Sequence, residues 1–364
     1  MEISRVMVEE RLAAAGLAYV VLDLSPEHAV LVTERWGRVL GPFDSTGRSL
    51  MWLNPQVWAS EEAFSTAITE GLWNVGGERF WIAPEIRLNN RDRTAFWDTY
   101  KVPAAMDPGS WKLASGRGSA ALYQELAMDV YNPPAGELRL RVERSVVPVT
   151  NPLRYLSSAE RLMQGVSCAG YSHGVSLAMT GPQASGVQCE AWTLCQLNPP
   201  GTILVPCTTR VEYQDYYEPV DSGCLHFLEG AAVFSVTGTR RYKVGLRSPH
   251  LLGRAAYIKL AGPRSELLVR TFPNDPSSEY VEEPDSLPGC RGLSFHVYND
   301  GGEFGGFGEL ECNGRTIGAG TSRIESRDEF GFWYFLGSRE RIIDIGRILL
   351  GNGVDRLQEQ FQTD

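Results

Sequence analysis

Two glutamates separated by one residue form the strongest candidate for proton-transfer chemistry in this 364-residue chain. In residues 308–312 (GELEC), a β-strand would place Glu309 and Glu311 on one face, about 7 Å apart, with Leu310 on the other. Two acids on one sheet face can bind hydroxyls or divide the work of a general acid and a general base. Glycines on both sides would allow the strand to lie at the edge of a cleft. An ordinary solvent-facing strand with alternating glutamates fits the same pattern.

A second segment, residues 71–85 (GLWNVGGERFWIAPE), combines groups that suit a polar ligand. Its glycine pair allows a tight turn or a close approach of the backbone to a ligand. Trp73 and Trp81 offer flat apolar surfaces, while Arg79 and Glu85 supply charged hydrogen-bonding groups. Sugars bind to such a mixture of aromatic face and polar rim. The pattern also fits a hairpin whose tryptophans fill the core and whose Arg79 and Glu85 pair on the surface.

Other side chains could take part in acid-base chemistry or line a cleft. His296 and His226 lie in apolar segments, and the usual pKa of histidine is near neutrality, as a general acid or base requires. Lys243 stands in an otherwise apolar strand, where it either snorkels from the edge of the core or points into a cleft. Trp192 is predicted to pack on one face of a sheet. A structural role also fits each histidine taken alone.

Two further chemistries find little support in the sequence. Residues 170–174 (GYSHG) match the GxSxG pattern of a nucleophile elbow, but the segment that follows is too short for the required helix before Gly181 and Pro182. We therefore interpret Ser172 and His173 as a chance match. No two of the five histidines have the spacing of a metal site, so we expect no metal centre. We predict no other cofactor.

Composition and charge argue against several classes of partner. The net charge of −10 and the isoelectric point near 5.2 disfavour binding to nucleic acid. The apolar runs are too short to cross a bilayer, and the first residues lack the order of a secretion signal, so we expect a cytoplasmic protein without membrane association. Seven cysteines with wide spacings and no CxxC pair indicate free, buried thiols.

The elements that must position these residues are predicted to be mainly strands. Frequent glycine (38) and proline (21) punctuate short runs of β-branched and aromatic residues, which is typical of an all-β protein. The clearest amphipathic strand covers residues 137–148, where Leu138, Leu140 and Val142 would share one face. The pair Trp36 and Gly37 is predicted to form a hairpin turn.

Few helices are expected, and the chain shows no internal boundary. The predicted helices cover residues 6–15, 157–163 and 351–362. Neither a shift in composition nor a repeat divides the sequence. We therefore predict one large β domain over residues 1–364, with an N-terminal helix and strand extension (1–28) and a partly helical C-terminal tail (340–364).

Six segments occur in an order that is similar to a known superfamily. They are LMWLNP (50–55), GGERFWIAPE (76–85), EAWTLCQLNPPGTILVP (190–206), YKVGL (242–246), RTFPNDPSSEY (270–280) and GELECNG (308–314). Together they resemble the galactose-mutarotase-like superfamily, and its uncharacterised bacterial branches more closely than the true aldose epimerases. The resemblance covers the chain from about residue 29 to the C-terminus.

The resemblance implies a β-supersandwich with a few peripheral helices and a concave face that binds carbohydrate. In the mutarotases a glutamate late in the chain acts as general base on the anomeric hydroxyl, while a histidine protonates the ring oxygen. By position, Glu309 would be the base, with Glu311 as the close alternative, and Arg79 would bind hydroxyls. The chain departs from the true epimerases at the acid, because Trp192 and Gln196 stand where their characteristic Asn and His segment is expected.

The leading hypothesis is a sugar mutarotase or epimerase with Glu309 as general base and His296 or His226 as general acid. The predicted substrate-binding residues are Arg79, Trp81, Glu85, Trp192, Lys243, Glu311 and Arg270. The alternatives are a non-catalytic carbohydrate-binding or regulatory protein, and a carbohydrate lyase or isomerase, because fold does not fix function. In each case the expected partner is a small-molecule sugar or sugar derivative, bound by a monomer or homodimer without a cofactor.

Overall fold

Antiparallel strands in two large sheets make up most of the fold. A computed structural model describes residues 2–208, 210–260 and 264–360 of the chain. The strand pairs within each sheet are antiparallel throughout. Within those three ranges, no helix has the length and apolar character needed to cross a bilayer. The predicted all-β class is confirmed.

The strands of the described residues are numbered in chain order. The first ten are β1 (Tyr19–Ser25), β2 (His28–Thr33), β3 (Val39–Phe43), β4 (Glu78–Ala83), β5 (Lys112–Gly116), β6 (Ser119–Val130), β7 (Gly136–Pro148), β8 (Ser167–Met179), β9 (Gln188–Leu197) and β10 (Gly201–Pro206). The next ten are β11 (Tyr213–Asp215), β12 (Leu225–Leu228), β13 (Ala231–Val236), β14 (Tyr242–Arg247), β15 (Arg254–Lys259), β16 (Ser265–Thr271), β17 (Leu293–Asn299), β18 (Gly308–Asn313), β19 (Ile317–Gly318) and β20 (Glu325–Gly337).

Helices are short and lie at the periphery. The α-helices are α1 (Arg5–Ala14), α2 (Pro55–Trp58), α3 (Glu61–Glu70), α4 (Glu85–Leu88), α5 (Phe96–Thr99), α6 (Ala159–Met163), α7 (Arg339–Leu350) and α8 (Gly353–Gln360). Short 3-10 helices cover Arg35–Gly37, Arg93–Ala95 and Ser248–His250.

Each sheet contains ten strands. Sheet A has the order β1-β2-β3-β4-β9-β18-β17-β14-β11, and β19 pairs with β9 beside this path. Sheet B has the order β12-β13-β10-β15-β16-β20-β8-β7-β6-β5. Strands that are distant in sequence thus become neighbours, and β4, β9 and β18 lie side by side in the middle of sheet A.

Apolar side chains from the facing surfaces of the sheets form the main core. Val142, Leu177 and Phe332 of sheet B are buried in one cluster with Phe80 and Leu310 of sheet A. Burying an aliphatic or aromatic side chain of this size contributes roughly 1.5–3 kcal/mol. The two sheets therefore pack as a sandwich through side chains that alternate along their strands.

Helices cover parts of the outer surfaces. Ile342 of α7 and Val354 of α8 are buried against Leu204 and Val269, on the face of sheet B that is turned away from sheet A. At the other side of the molecule, α1, α2 and α3 share a core with β2 and β3 of sheet A. Neither group of helices covers the central strands of sheet A.

The structure confirms several predicted elements. In β7 the burial alternates residue by residue, so Leu138, Leu140 and Val142 face the core as predicted. Trp36 and Gly37 have φ angles of 65° and 55° in the turn between β2 and β3. All seven cysteines are free thiols.

The predicted helices were partly right. Helices α1, α6 and α8 correspond to predicted helices, although residues 361–362 of the last prediction lie outside the described residues. Helices α2 and α3 were not predicted, and the α7 segment was assigned only to a partly helical tail. The sequence did contain N-cap signals for α3 and α7. Ser60 accepts a hydrogen bond from the amide of Ala63 at the start of α3, and Ser338 accepts one from the amide of Arg341 at the start of α7. The single-domain interpretation stays a prediction.

Candidate functional site

The candidate site lies on sheet A, on the face turned away from sheet B. Because Leu310 points into the core between the sheets, strand alternation turns Glu309 and Glu311 to the opposite face. Tyr298 of β17 pairs with Glu309 on one side and with Lys243 of β14 on the other. Residues directly opposite in an antiparallel pair share a face. Three strands thus bring two carboxyl groups, a lysine and a phenol together.

Two glycines fix the start of β4 and so the position of Arg79. Gly77 has a φ of +78°, and a Cβ at this position would lie 2.5 Å from the carbonyl oxygen of Val39. Gly76 has a φ of +100°, and a Cβ there would lie 2.6 Å from the Cα of Leu53. Both positions require glycine because the backbone is left-handed and the space is closed. The glycine pair therefore positions the strand rather than a ligand.

A cavity of about 490 Å³, including its mouth, opens on this face of sheet A. Its charged lining residues are Arg79, Glu85, Lys243, Glu309 and Glu311. Arg79 pairs with Glu309, and Glu85 pairs with Lys243. Arg79 and Glu85, the two charged residues of this segment that were predicted to bind a ligand, thus both lie in the cavity, and not as a mutual pair on the outer surface.

Aromatic side chains form the walls of the cavity. The tryptophans are Trp73, Trp81, Trp97 and Trp192. The other aromatic lining residues are Phe96, Tyr100, Tyr217, Tyr298, Phe304 and Phe307. Flat apolar walls around a few charged groups suit ligands that carry both C–H faces and hydroxyl groups. A sugar ring has this combination.

The pair between Arg79 and Glu309 is fixed on several sides. Arg79 Nη1 lies 2.9 Å from Glu309 Oε1, and Arg79 Nη2 lies 3.3 Å from Oε2. The guanidinium carbon is 4.2 Å from the ring centroid of Trp81 and 4.9 Å from that of Trp73. The indole nitrogen of Trp81 in turn donates to Asp107 Oδ2 at 2.8 Å. The Glu309 carboxyl therefore has one defined orientation at the cavity wall.

Lys243 joins three carboxyl groups at the floor of the cavity. Its Nζ lies 3.5 Å from Glu85, 3.4 Å from Glu282 and 3.5 Å from Glu311. The same nitrogen is 4.4 Å from the ring centroid of Trp192. Since Glu282 is fully buried, the lysine compensates charge that solvent cannot reach. The alternative of a lysine that snorkels to bulk solvent does not fit this geometry.

Burial raises the pKa values of three carboxyl groups in and beneath the cavity. Burial raises the pKa of Glu309 to about 8, although Arg79 opposes the shift. Burial likewise raises the pKa of Glu282 to about 8, and it raises the pKa of Glu311 against the effect of Lys243. Carboxyl groups with such values can carry a proton near neutral pH and release it again.

Replacing Lys243 with Met is expected to destabilise the protein more at pH 8.5 than at pH 6. Burial and like charges give Glu282 and Glu311 raised pKa values, and a raised folded-state pKa means that stability is lost as pH rises through it. Without the ammonium group these values rise further. We expect a loss of about 3–5 kcal/mol at the higher pH and a clearly smaller loss at the lower pH.

Urea unfolding of the Lys243→Met variant at both pH values measures this difference. Lys112→Met is the matched control, because Lys112 is exposed on strand β5. An equal loss of unfolding free energy at pH 6 and pH 8.5 would contradict the proposed coupling between the lysine and the carboxyl groups.

His296 lies next to the site but does not line the cavity. Its Nε2 is 2.9 Å from the hydroxyl of Tyr216, and its Nδ1 is 3.1 Å from Asn313 Oδ1. Because Asn313 donates its amide to Glu190 at 2.9 Å, its oxygen faces the histidine, so Nδ1 donates and Nε2 accepts. Burial and the nearby Lys243 hold the pKa of His296 well below its ordinary value. The imidazole is neutral and its nitrogens are occupied.

Two other predicted residues lie elsewhere. His226 is on β12, at the edge of sheet B, and is not a lining residue of the cavity. Arg270 is fully buried between the sheets, where Nη2 lies 2.8 Å from Glu78 and 3.3 Å from Thr193. Its segment matched the superfamily by sequence, but β16 belongs to sheet B, so the side chain reaches the core and not the cavity. Ser172 lies within strand β8 and donates to an exposed glutamate, which is not the geometry of a nucleophile elbow.

Several residues of the site were not predicted from the sequence. Glu282 lies in a loop and contacts Lys243 without lining the cavity. Trp97 and Tyr100, which do line it, belong to the run FWDTY in a polar segment. Such a concentration of aromatic residues outside a strand pattern is a signal that could have identified them. Tyr217 and Phe304 come from other loops and gave no comparable signal.

No metal centre is apparent in the parts of the chain that the structure describes. Within residues 2–208, 210–260 and 264–360, no group of three or more His, Cys, Asp or Glu residues is arranged to hold a metal ion. Within the same ranges, no histidine lines the cavity. Proton transfer in this cavity would therefore use carboxyl, ammonium or phenol groups.

Comparison with solved structures shows which fold this is. A provisionally named aldose 1-epimerase from Escherichia coli K12 aligns over 88% of this chain and 99% of its own, with 12% identity and a TM-score of 0.50. A galactose mutarotase-like protein from Lactobacillus casei ATCC 334 aligns over 87% and 100%, with 10% identity and a TM-score of 0.49. The alignment with the Escherichia coli protein confirms the predicted galactose-mutarotase-like fold, and an identity this low shows the fold alone.

Sequence comparison gives the family. No curated protein matches the chain. The sequence profile of one family, described as a family of unknown function (DUF6786), matches residues 11–361, which is nearly the full length. Sheets A and B therefore show the fold of one member of this family. The chain belongs to DUF6786.

Proposed function

We propose that the protein binds a sugar in the cavity of sheet A and interconverts its anomers, with Glu309 and Glu311 as the acid-base pair. The observation that carries this proposal is their joint position: both carboxyl groups are at most 2% exposed and line one aromatic cavity. Each has its own cationic partner, Arg79 for Glu309 and Lys243 for Glu311. The fold supports the same reaction class by analogy only.

The reaction needs one group that takes a proton and one that gives a proton. The ionised carboxylate removes the proton of the anomeric hydroxyl, the protonated carboxyl donates to the ring oxygen, and the bond between the anomeric carbon and that oxygen breaks. The resulting open-chain aldehyde rotates and closes again by the reverse transfers. No net proton or electron is gained or lost. Because the charge of Glu311 helps to raise the pKa of Glu309, the one proton that the reaction needs is assigned to the pair and not to either residue alone.

This proposal replaces the histidine acid of the sequence hypothesis. His296 is neutral and engaged in hydrogen bonds beneath the cavity, and His226 belongs to the other sheet. Lys243 and Tyr298 line the cavity, but their pKa values are raised far above neutrality: burial is the main cause for Tyr298, and neighbouring carboxylates outweigh burial for Lys243. A second carboxyl group, Glu311, whose pKa is raised by burial, is a better proton donor.

Single purified anomers of aldoses provide the test. Proton NMR records the rate at which each anomer approaches equilibrium, with glucose, galactose, mannose and several pentoses and deoxy sugars as a panel. We expect acceleration over the buffer control for at least one sugar. Rates equal to the buffer control for every sugar would overturn the catalytic proposal.

A sugar-binding protein without catalysis is the second candidate. The observation that favours it is the ion pairing of both carboxyl groups, since Arg79 and Lys243 stabilise their ionised forms. Ligand-observed NMR on the same panel distinguishes the candidates. Binding without accelerated interconversion supports the second candidate, whereas binding with acceleration supports the first.

A further inference from the structure

A second cavity adjoins the cavity beside Glu309. This neighbour has a volume of about 330 Å³, including its mouth. Glu85, Phe96, Trp97 and Tyr217 line both cavities. A ligand that occupied both cavities would contact these four side chains.

Trp97 is the exposed member of this boundary. Its side chain is 50% exposed, although its ring packs against Phe96 with the centroids 4.8 Å apart. The guanidinium carbon of Arg241 lies 4.0 Å from the Trp97 centroid and 4.4 Å from that of Tyr217. These contacts hold the indole in one orientation while leaving half of its surface to solvent. A fixed and exposed aromatic face at the mouth of a cavity is suited to stacking against a second ring.

The polar groups of the second cavity disfavour an anionic ligand. Glu283 and Asp285 line it together with Glu85. Glu283 is paired with Arg93 and with Arg291, so its charge is balanced within the protein. Glu85 shares Lys243 with two other carboxyl groups, so Glu85 and Asp285 still accept hydrogen bonds from hydroxyl groups and repel phosphate or carboxylate groups. A second neutral sugar ring meets both conditions.

We infer that the ligand is a neutral reducing disaccharide, with its reducing ring beside Glu309 and its second ring stacked on Trp97. This inference rests on the proposed function, because the anomeric centre that reacts must be the free one at the reducing end. It also goes further, since it assigns a second ring site to the boundary between the two cavities. Glu85, which accepts from the hydroxyl of Tyr100 at 2.8 Å, lies between the two ring positions.

Calorimetric titration of matched sugars tests the second ring site. Glucose is compared with maltose and cellobiose, galactose with galactobiose, and mannose with mannobiose, so that each disaccharide carries the reference sugar at its reducing end. We expect at least one disaccharide to bind about tenfold more tightly than its monosaccharide, which is the scale of one aromatic stacking contact.

Variants at Trp97 locate the gain. In Trp97→Ala the disaccharide is expected to lose at least fivefold more affinity than the monosaccharide, and Trp97→Leu, which keeps apolar volume without the flat ring, is expected to behave in the same way. Tyr155→Ala is the matched control, because Tyr155 is 87% exposed with Arg154 over its ring and lines neither cavity.

The possible failures are distinct. If monosaccharides bind and the second ring adds no affinity, or if Trp97→Ala weakens both sugars equally, the second ring site is overturned while the proposed function stands. If no sugar of either length binds, both proposals fail. Preferential binding of a sugar phosphate would overturn the assignment of a neutral ligand.

Discussion

Replacing Glu309 with Gln is expected to lower the catalysed rate of anomer interconversion by at least about 100-fold, the smaller end of what a positioned acid or base contributes. The amide keeps the size of the side chain and still accepts a hydrogen bond from Arg79. It can neither take the proton of the anomeric hydroxyl nor donate one to the ring oxygen. Glu311→Gln is expected to have a loss of the same order, because the two carboxyl groups act as one pair.

Binding and stability measurements separate this effect from simple damage to the site. The dissociation constant of the sugar is expected to change by less than about tenfold in Glu309→Gln, since one hydrogen-bond acceptor remains. Glu325→Gln, on an exposed position of β20, is the matched control and is expected to retain the full rate. A Glu309→Gln protein that keeps the rate of the unchanged protein would exclude Glu309 from proton transfer.

Much of the architecture could be predicted because it follows from local pattern. The alternation of Leu138, Leu140 and Val142 with charged residues specifies a strand with one buried face. Helix α3 was not predicted because its sequence is largely polar, although Ser60 caps it. Helix α7 was assigned only to a partly helical tail, although Ser338 and the spacing of its buried isoleucines and Leu350 signal a helix. The order of strands within the sheets could not be derived in this way, because β4 and β18 become near neighbours of β9 only through long-range pairing.

The candidate site was predictable to the extent that its residues lie on the strands of one sheet. Four predicted residues line the cavity because their strands all belong to sheet A. They are Arg79 on β4, Trp192 on β9, Lys243 on β14 and Glu309 on β18. Arg270 was assigned to the site from its place in a similar segment, but nothing local shows that β16 belongs to the opposite sheet. Loop residues such as Tyr217 and Phe304 are brought in by tertiary structure alone.

The position of Arg270 between the sheets has its own consequence. Glu78 and Arg270 are both fully buried, and the Glu78 carboxylate also contacts the hydroxyl of Tyr171 and Nδ1 of His173 at 2.8 Å. His173 in turn accepts from Arg144 through Nε2 at 3.0 Å, so its Nδ1 is the donor. This buried network joins β4 of sheet A to β7, β8 and β16 of sheet B. It lies directly behind the strand that carries Arg79.

Replacing Glu78 with Gln is expected to lower the free energy of unfolding by about 3–5 kcal/mol, because the positive charge of Arg270 would remain buried without its partner. A double variant, Glu78→Gln with Arg270→Met, should recover part of that loss, since it removes the unpaired charge and leaves apolar volume. Urea unfolding of the two variants and the unchanged protein measures both changes. A double variant that is less stable than Glu78→Gln would show that Arg270 stabilises the core without Glu78.

The pH dependence of the same variants tests the network independently. Burial alone would raise the pKa of Glu78, but Arg270 and His173 outweigh it and hold that pKa far below the ordinary range. A depressed folded-state pKa contributes stability that is complete above the unfolded value, near 4.3, and is lost as pH falls below it. The unchanged protein should therefore lose stability between pH 5 and pH 3 more steeply than Glu78→Gln, which has no carboxylate to protonate. Parallel curves for the two proteins would mean that the carboxylate is not ionised in the core, and the sheets would then be joined by neutral hydrogen bonds instead of an ion pair.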